Sequence, residues 1–298
     1  MRLLKMLCSC AVFVCLLPAC KKNDDNSTPS KKPGTYYQLP QGNAAFDQQI
    51  LDWYKKYDTY VLYRFTEKEF KYGITGFYPQ AVLCKTADTT SMPAAINFLK
   101  NYWFSFYTDD FLKKYLPFKI LLAGLMMESN NGFDTTNIPV TRPMAGLDYI
   151  IIPNVDSNFN KMSGQQRQTL KTYLNIIFLK SLFFGSSDFT PAKLIPPAAF
   201  FEVSPYDKKG LTDTDKYQYG FLALATDNNN QLVVPGKYDD FAVYLETIIS
   251  TPEWKLSATL LSTTTDTNGL IRKKYNILIG FFKEQYKIDI RAIADKQD

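Results

Sequence analysis

The longest stretch of regular hydrophobic spacing runs from Thr169 to Gly185, TLKTYLNIIFLKSLFFG. Leu170, Tyr173, Leu174, Ile177, Phe178, Ser181 and Leu182 recur at i, i+3, i+4, i+7 and i+8. That is the period of a helix with one buried stripe, and Gly185 follows where such a helix usually stops. Helical spacing also marks Phe46–Tyr54 (Phe46, Ile50 and Trp53 on one side) and Ala94–Phe106 (Ile96, Leu99, Trp103, Phe106). It returns at Asp239–Ile249 (Phe241, Tyr244, Leu245, Ile248), with Asp239 or Asp240 placed to cap the start. Phe111–Leu116 ends as helix or turn at Pro117. Leu270–Tyr286 reads as a long final helix after an Asn268–Gly269 turn, with Ile288–Ile290 behind it. Short apolar or β-rich runs predict strands at Tyr60–Phe65, Phe118–Ala123 and Leu147–Pro153. Glu128–Pro143 and Ser186–Lys216, rich in residues such as Asn, Thr, Ser, Asp and Pro, read as loops. Strands ahead of a central helix predict an α+β fold: a small sheet packed on a central buried helix, then a mainly helical C-terminal part. No internal repeat is present.

The first 20 residues stand apart from this pattern. Arg2 and Lys5 precede an apolar core, Met6–Leu17, too short to span a bilayer. Leu17-Pro18-Ala19-Cys20 then resembles a bacterial lipobox, which implies cleavage before Cys20 and acylation of its thiol. Two or three acyl chains anchor stably where one does not. The alternative is an ordinary secretory signal or short membrane anchor. Lys21–Gly34 has no aromatic or aliphatic β-branched residue and reads as a solvated tether. The expected organisation is leader 1–20, flexible tether 21–44 and one folded domain 45–298. Lys22-Asn23-Asp24-Asp25 is similar to the acidic tag of surface-exported lipoproteins, so the outer membrane, facing the cell exterior, is the expected location.

Cysteine usage agrees with export. Cys8, Cys10 and Cys15 leave with the leader and Cys20 is lipidated, so Cys84 has no partner for an intramolecular disulfide. In Ala81-Val82-Leu83-Cys84 it reads as a small buried hydrophobe. Losing Arg2 and Lys5 takes Lys+Arg from 34 to 32 against 29 acids, a balance of +3, which gives no reason to expect a nucleic-acid partner. Aromatics make up 15%. An aromatic core accounts for them; a surface that stacks sugar rings or peptides is the other reading.

The chain contains no His. Ser–His–Asp and Cys–His catalysis are therefore excluded. Asp239–Asp240 and Asp109–Asp110 offer paired carboxylates, but neighbours on a helix point apart and Asp near a helix start is normally a cap. Asp227-Asn228-Asn229-Asn230 lacks the alternating Ca²⁺-ligand pattern and reads as a solvated turn. Neither G-x-G-x-x-G nor G-x-x-x-x-G-K occurs, so no phosphate-cradling loop is expected.

Several segments, in order, resemble a family of bacterial outer-membrane lipoproteins described as substrate import-associated zinc metallohydrolases, or zinc-binding metallopeptidases. They are Lys56–Phe65, Leu116–Ile120, Gly146–Ile150, Tyr219–Phe221, Asp239–Ala242, Thr251–Trp254 and Ile271–Ile290, spread over roughly residues 45 to 293. The resemblance implies a zincin-like metallopeptidase scaffold whose His-Glu-x-x-His would lie on the central helix. Phe178 and Leu182 then fall at the two His positions, Leu179 at the Glu and Ser181 at the small residue between. Val243 stands where the family has an acidic residue after Phe-Ala. A one-residue shift restores no ligand. The implication is a degenerate member with no metal, no cofactor and no catalytic residue. It would act as a binding or accessory subunit of a TonB-dependent nutrient importer, gripping a peptide or glycan and tied to outer-membrane lipid through Cys20. The alternative is an active peptidase or glycosidase with a non-standard carboxylate site.

Overall fold

The computed structural model describes residues 36–71, 81–129, 137–186 and 190–297. The leader, the lipidation position Cys20 and the tether up to residue 35 lie outside the described residues. In chain order the elements are α1 (Ala45–Tyr57), β1 (Tyr60–Leu62), α2 (Glu67–Lys71), β2 (Ala81–Thr86), α3 (Met92–Tyr102), α4 (Asp109–Tyr115), β3 (Lys119–Ser129), β4 (Asn137–Pro139), β5 (Met144–Ala145) and β6 (Tyr149–Ile152). There follow α5 (Gly164–Phe184), α6 (Ala198–Phe201), β7 (Ala225–Thr226), β8 (Leu232–Val233), α7 (Lys237–Ser250), α8 (Glu253–Ala258), α9 (Leu270–Phe281) and α10 (Arg291–Asp295).

The fold is α+β, with one six-stranded sheet, a small β7–β8 hairpin and many helices. β3 is the spine of the sheet. Its first half runs parallel to β1 (Tyr60 opposite Lys119) and to β6 (Leu122 opposite Ile152). Its second half pairs antiparallel with β2 (Thr86 opposite Ala123) and β4 (Met127 opposite Pro139). Among the described residues β5 pairs with β6 alone, antiparallel, and forms the edge. Every residue of β1 and β6 is buried, as parallel strands covered on both faces require.

β3 extends well past the Phe118–Ala123 run expected from the sequence. Beyond Ala123 continuous apolarity gives way to Gly124 and Glu128, and the strand persists through its pairing on both sides. Gly124 is needed there: a Cβ at that position would sit 2.6 Å from the carbonyl oxygen of Thr86. The same pairing corrects the loop expected over Glu128–Pro143. Glu128 and Ser129 complete β3, and Asn137–Pro139 form β4. Cys84 lies on β2 and is half-buried rather than fully enclosed; burial still pushes its thiol up to about 12.

The central helix starts five residues before Thr169. Its first turns, Gly164–Gln168, carry no apolar stripe, so periodicity misses them; a capping box fixes them instead. Ser163 Oγ accepts from Gln166 N at 3.3 Å, and Gln166 Oε1 accepts from Ser163 N at 2.8 Å. The expected long final helix ends at Phe281 and is followed by a π-turn over Phe282–Tyr286, left-handed Lys287 (φ 60°) and α10. The described part of the Ser186–Lys216 stretch, from Thr190 on, is mostly irregular, as expected, apart from short α6, whose Phe200 is buried.

A candidate binding groove

Helix α5 has two working faces. Leu170, Leu174, Phe178 and Leu182, four residues apart, are buried together with Leu179 and Phe183. Phe178 is the hub of an aromatic cluster: Trp103 and Tyr107 meet it edge-on at 5.3 and 5.2 Å, and Phe111 at 6.2 Å. Asn175 on this face is fully satisfied. Its Nδ2 donates to the carbonyls of Tyr102 (3.0 Å) and Lys171 (2.8 Å), and its Oδ1 accepts from the Tyr107 hydroxyl at 2.8 Å. Burial raises the Tyr107 phenol well above its ordinary value, which keeps it a donor.

The residues expected at the degenerate motif, Phe178, Leu179 and Leu182, therefore sit together in the hydrophobic core. Val243 is not with them; it is half-buried on α7, one turn before Glu246. Three of the seven positions in the single buried stripe expected on α5 face elsewhere. Tyr173, Ile177 and Ser181, joined by Ile176, Lys180 and Phe184, front a groove of about 780 Å³. At about 100° per residue Tyr173, Ile176, Lys180 and Phe184 lie on the flank away from Leu174 and Leu182, with Ile177 and Ser181 at the boundary between the two faces.

The opposite wall is the chain from Ile138 to edge strand β5. Glu246 of α7 and Glu128 of β3 also reach the groove. Lys180 donates to Glu246 Oε1 at 2.6 Å, with both side chains 40% exposed. The Arg142 guanidinium lies 5.4 Å from the centre of the Tyr173 ring. Past Ala145, Ser181 and Ser186 the groove borders a smaller cavity of about 180 Å³, lined by Leu147, Tyr149 and Lys193 among others.

The other carboxylates singled out in the sequence serve structure. Asp240 caps nothing; it is buried and bonded to Lys274 at 2.5 Å. Asp239 is exposed at the same helix start without a side-chain cap bond. Helix α4 is capped by Thr108, whose hydroxyl accepts from Phe111 N. Asp109 instead bonds Lys56 and the Tyr57 hydroxyl at 2.7 Å each on an open surface. Asp227 forms the turn of the β7–β8 hairpin, accepting from the backbone of Asn229 and Gln231.

Sequence reasoning missed Lys180 and Glu246, although both stand next to apolar stripe positions. It also missed Lys274, which occupies a stripe position of α9 between Ile271 and Leu278. A charged residue at a buried helical position was the available signal.

Zinc is held by thiolate, imidazole and carboxylate. The groove face of α5 offers Ile176, Ile177, Lys180 and Ser181, and the Glu246 carboxylate is bonded to an ammonium. Among the described residues no group of three or more His, Cys, Asp or Glu could hold a metal ion. The side chains present do not fit a zinc centre.

No protein-family model matches the chain, and a search of curated proteins finds no match. Among solved structures, a candidate zinc-binding metallo-peptidase from Bacteroides caccae is similar at 13% identity, with a TM-score of 0.46, covering 84% of this chain and 88% of that one.

Proposed function

We propose that this chain is a lipid-anchored outer-membrane protein that holds an extended ligand in the groove beside β5 and does not cut it. It serves as a binding subunit beside a TonB-dependent importer and is built on a degenerate zincin-like metallopeptidase scaffold. The observation that carries the binding role is the groove itself, an edge strand facing one flank of the central helix, with a lysine–glutamate pair between α5 and α7. Unsatisfied main-chain groups on an edge strand are a ready partner for an extended peptide. Hydrolysis at a metal would require donors and a base around an open coordination position, and Lys180 places an ammonium there instead. The anchor rests on the Leu17–Cys20 lipobox, and the importer on the sequence resemblance.

Purified protein is expected to contain no stoichiometric zinc and to cleave none of a broad peptide panel. Stoichiometric zinc with chelator-sensitive turnover would overturn the proposal. Cys20→Ser is expected to abolish acylation in a mass measurement of the mature chain. One observation favours a second reading: Glu128 and Glu246 line the same groove, as an acid–base carboxylate pair would. Glycosidase turnover lost in Glu246→Gln would establish it.

A further inference from the structure

The groove and the smaller cavity beyond it share Ala145, Ser181 and Ser186 and so form one trough along β5. Its charges are unevenly satisfied. Lys180 is bonded to Glu246 at 2.6 Å, and Asp148 faces Lys119 at 3.2 Å. Arg142 in the larger groove and Lys193 in the smaller cavity have no carboxylate partner among the described residues. The lining carries three cations, Arg142, Lys180 and Lys193, and three carboxylates, Glu128, Glu246 and Asp148. With Glu246 and Asp148 each bonded to a lysine, Arg142 and Lys193 are left with Glu128 as the one unbonded carboxylate among the described lining residues. The exposed Arg142 guanidinium lies 5.4 Å from the centre of the Tyr173 ring, and its planar fork of donors suits a carboxylate.

We propose that the trough takes an extended acidic peptide, one carboxylate meeting Arg142 and another Lys193, with its main chain along the free edge of β5. This deepens the binding role proposed above and rests on it. The edge strand favours peptide over acidic glycan, because only a peptide can continue the ladder of main-chain hydrogen bonds. Alternate side chains of such a strand face one way, so acids at every second position present their carboxylates on one side of the peptide. Lys193 is exposed overall, yet the surrounding protein desolvates its ammonium and holds it below the usual lysine value; an arriving carboxylate would reverse this.

The test is fluorescence anisotropy with the full chain in mild detergent. Three labelled decapeptides alternate Thr with Asp, Gln or Lys, and an oligogalacturonate serves as the acidic glycan. The Thr–Asp peptide is expected to bind at least about tenfold more tightly than Thr–Gln, and Thr–Lys most weakly. Arg142→Gln and Lys193→Gln should each weaken the Thr–Asp peptide about tenfold, leave Thr–Gln unchanged and flatten the salt dependence. Equal binding of all three peptides, lost in Ile177→Trp, would overturn the acidic preference and leave the groove reading intact. No binding of any peptide would overturn both. Oligogalacturonate bound more tightly than Thr–Asp through the same two cations would overturn the peptide assignment.

Discussion

Helix α7 carries two lysine–carboxylate pairs less than two turns apart, and they behave as opposites. Asp240 meets Lys274 at 2.5 Å, with side chains 1% and 0% exposed. Glu246 meets Lys180 at 2.6 Å, each 40% exposed. The separations are nearly the same, so the difference lies in what surrounds them. Four rings, Phe200, Tyr206, Phe221 and Tyr244, stand 4.7 to 5.3 Å from the Lys274 ammonium, which also donates to the Gly220 carbonyl at 3.0 Å. Desolvation lowers the Lys274 value and raises that of Asp240, each against its partner's attraction. Asp240 Oδ1 is buried with no hydrogen-bond partner. The inner pair is thus a costly arrangement that becomes ruinous when halved, whereas the outer pair can open to water or to a ligand.

Breaking the inner pair gives the largest expected effect. Lys274→Met should lower unfolding free energy by about 3–5 kcal/mol, because it strands a buried carboxylate. The double variant Asp240→Leu with Lys274→Met should recover most of that loss, since apolar replacement of a whole buried pair is often neutral or better. Urea titrations of the three proteins decide it; a double variant no more stable than the single one would show that the pair itself holds α7 to α9. Phe178→Ala comes next, at about 3–5 kcal/mol, from lost burial and the cavity left among Trp103, Tyr107 and Phe111. Ligand binding by the remaining folded fraction should be unchanged, because Phe178 belongs to the core face of α5. A binding defect without a stability loss would put Phe178 in the site.

That assignment also marks the limit of what the sequence could convey. Apolar runs identified β1 and β6, and helical spacing identified α1, α3, α7 and the body of α5, because in each the burial is continuous or periodic. The polar first turn of α5, the far half of β3, and β2, β4 and β5 stayed hidden, since they are held by a capping box or by partners distant in the chain. For the site, a stripe of i, i+3, i+4 residues says that a face is apolar, not whether it meets core or groove. Tyr173, Ile177 and Ser181 share the stripe with Phe178 and Leu182 yet line the groove. The distinction required β5 on the other side, and two strand residues leave no periodicity to read.

Acid exposes a smaller contrast. Bonding to Arg291, through Nε and a terminal nitrogen at 2.9 Å each, holds the Asp289 carboxyl below the usual carboxylate range. A depressed carboxyl contributes stability that is complete above its unfolded value, near 4, and is lost as pH falls through the native one. Asp289→Asn should therefore cost at most about 1 kcal/mol at pH 7, as for partly exposed pairs, and progressively less as pH falls through the native value. Asp240 has the opposite sign: its raised value favours the protonated form in the native state, so its burial weighs less in acid. Parallel melts of wild type and Asp289→Asn from pH 7 to 2 should converge; curves that stay apart would mean that the residue acts through packing around α10.

The outer pair should register least on stability. With both groups 40% exposed, Lys180→Met is expected to change unfolding free energy by less than about 1 kcal/mol. Its chemistry can nevertheless be redirected. Ile176 and Lys180 are four residues apart on the groove face, the spacing at which two imidazoles share a metal. An imidazole plus a Zn–N bond of about 2.0–2.1 Å reaches roughly as far as a lysine stem, so the metal would lie near the present ammonium and beside Glu246. Ile176→His with Lys180→His should then bind one zinc, read by competition with a chromophoric chelator, and the further change Glu246→Gln should weaken it. Zinc uptake would mark this flank of α5, rather than Phe178 and Leu182, as the face on which the scaffold can hold a cation. A double variant that folds with wild-type stability and still takes up no zinc would show that Ile176 and Lys180 do not present their side chains to a common point beside Glu246.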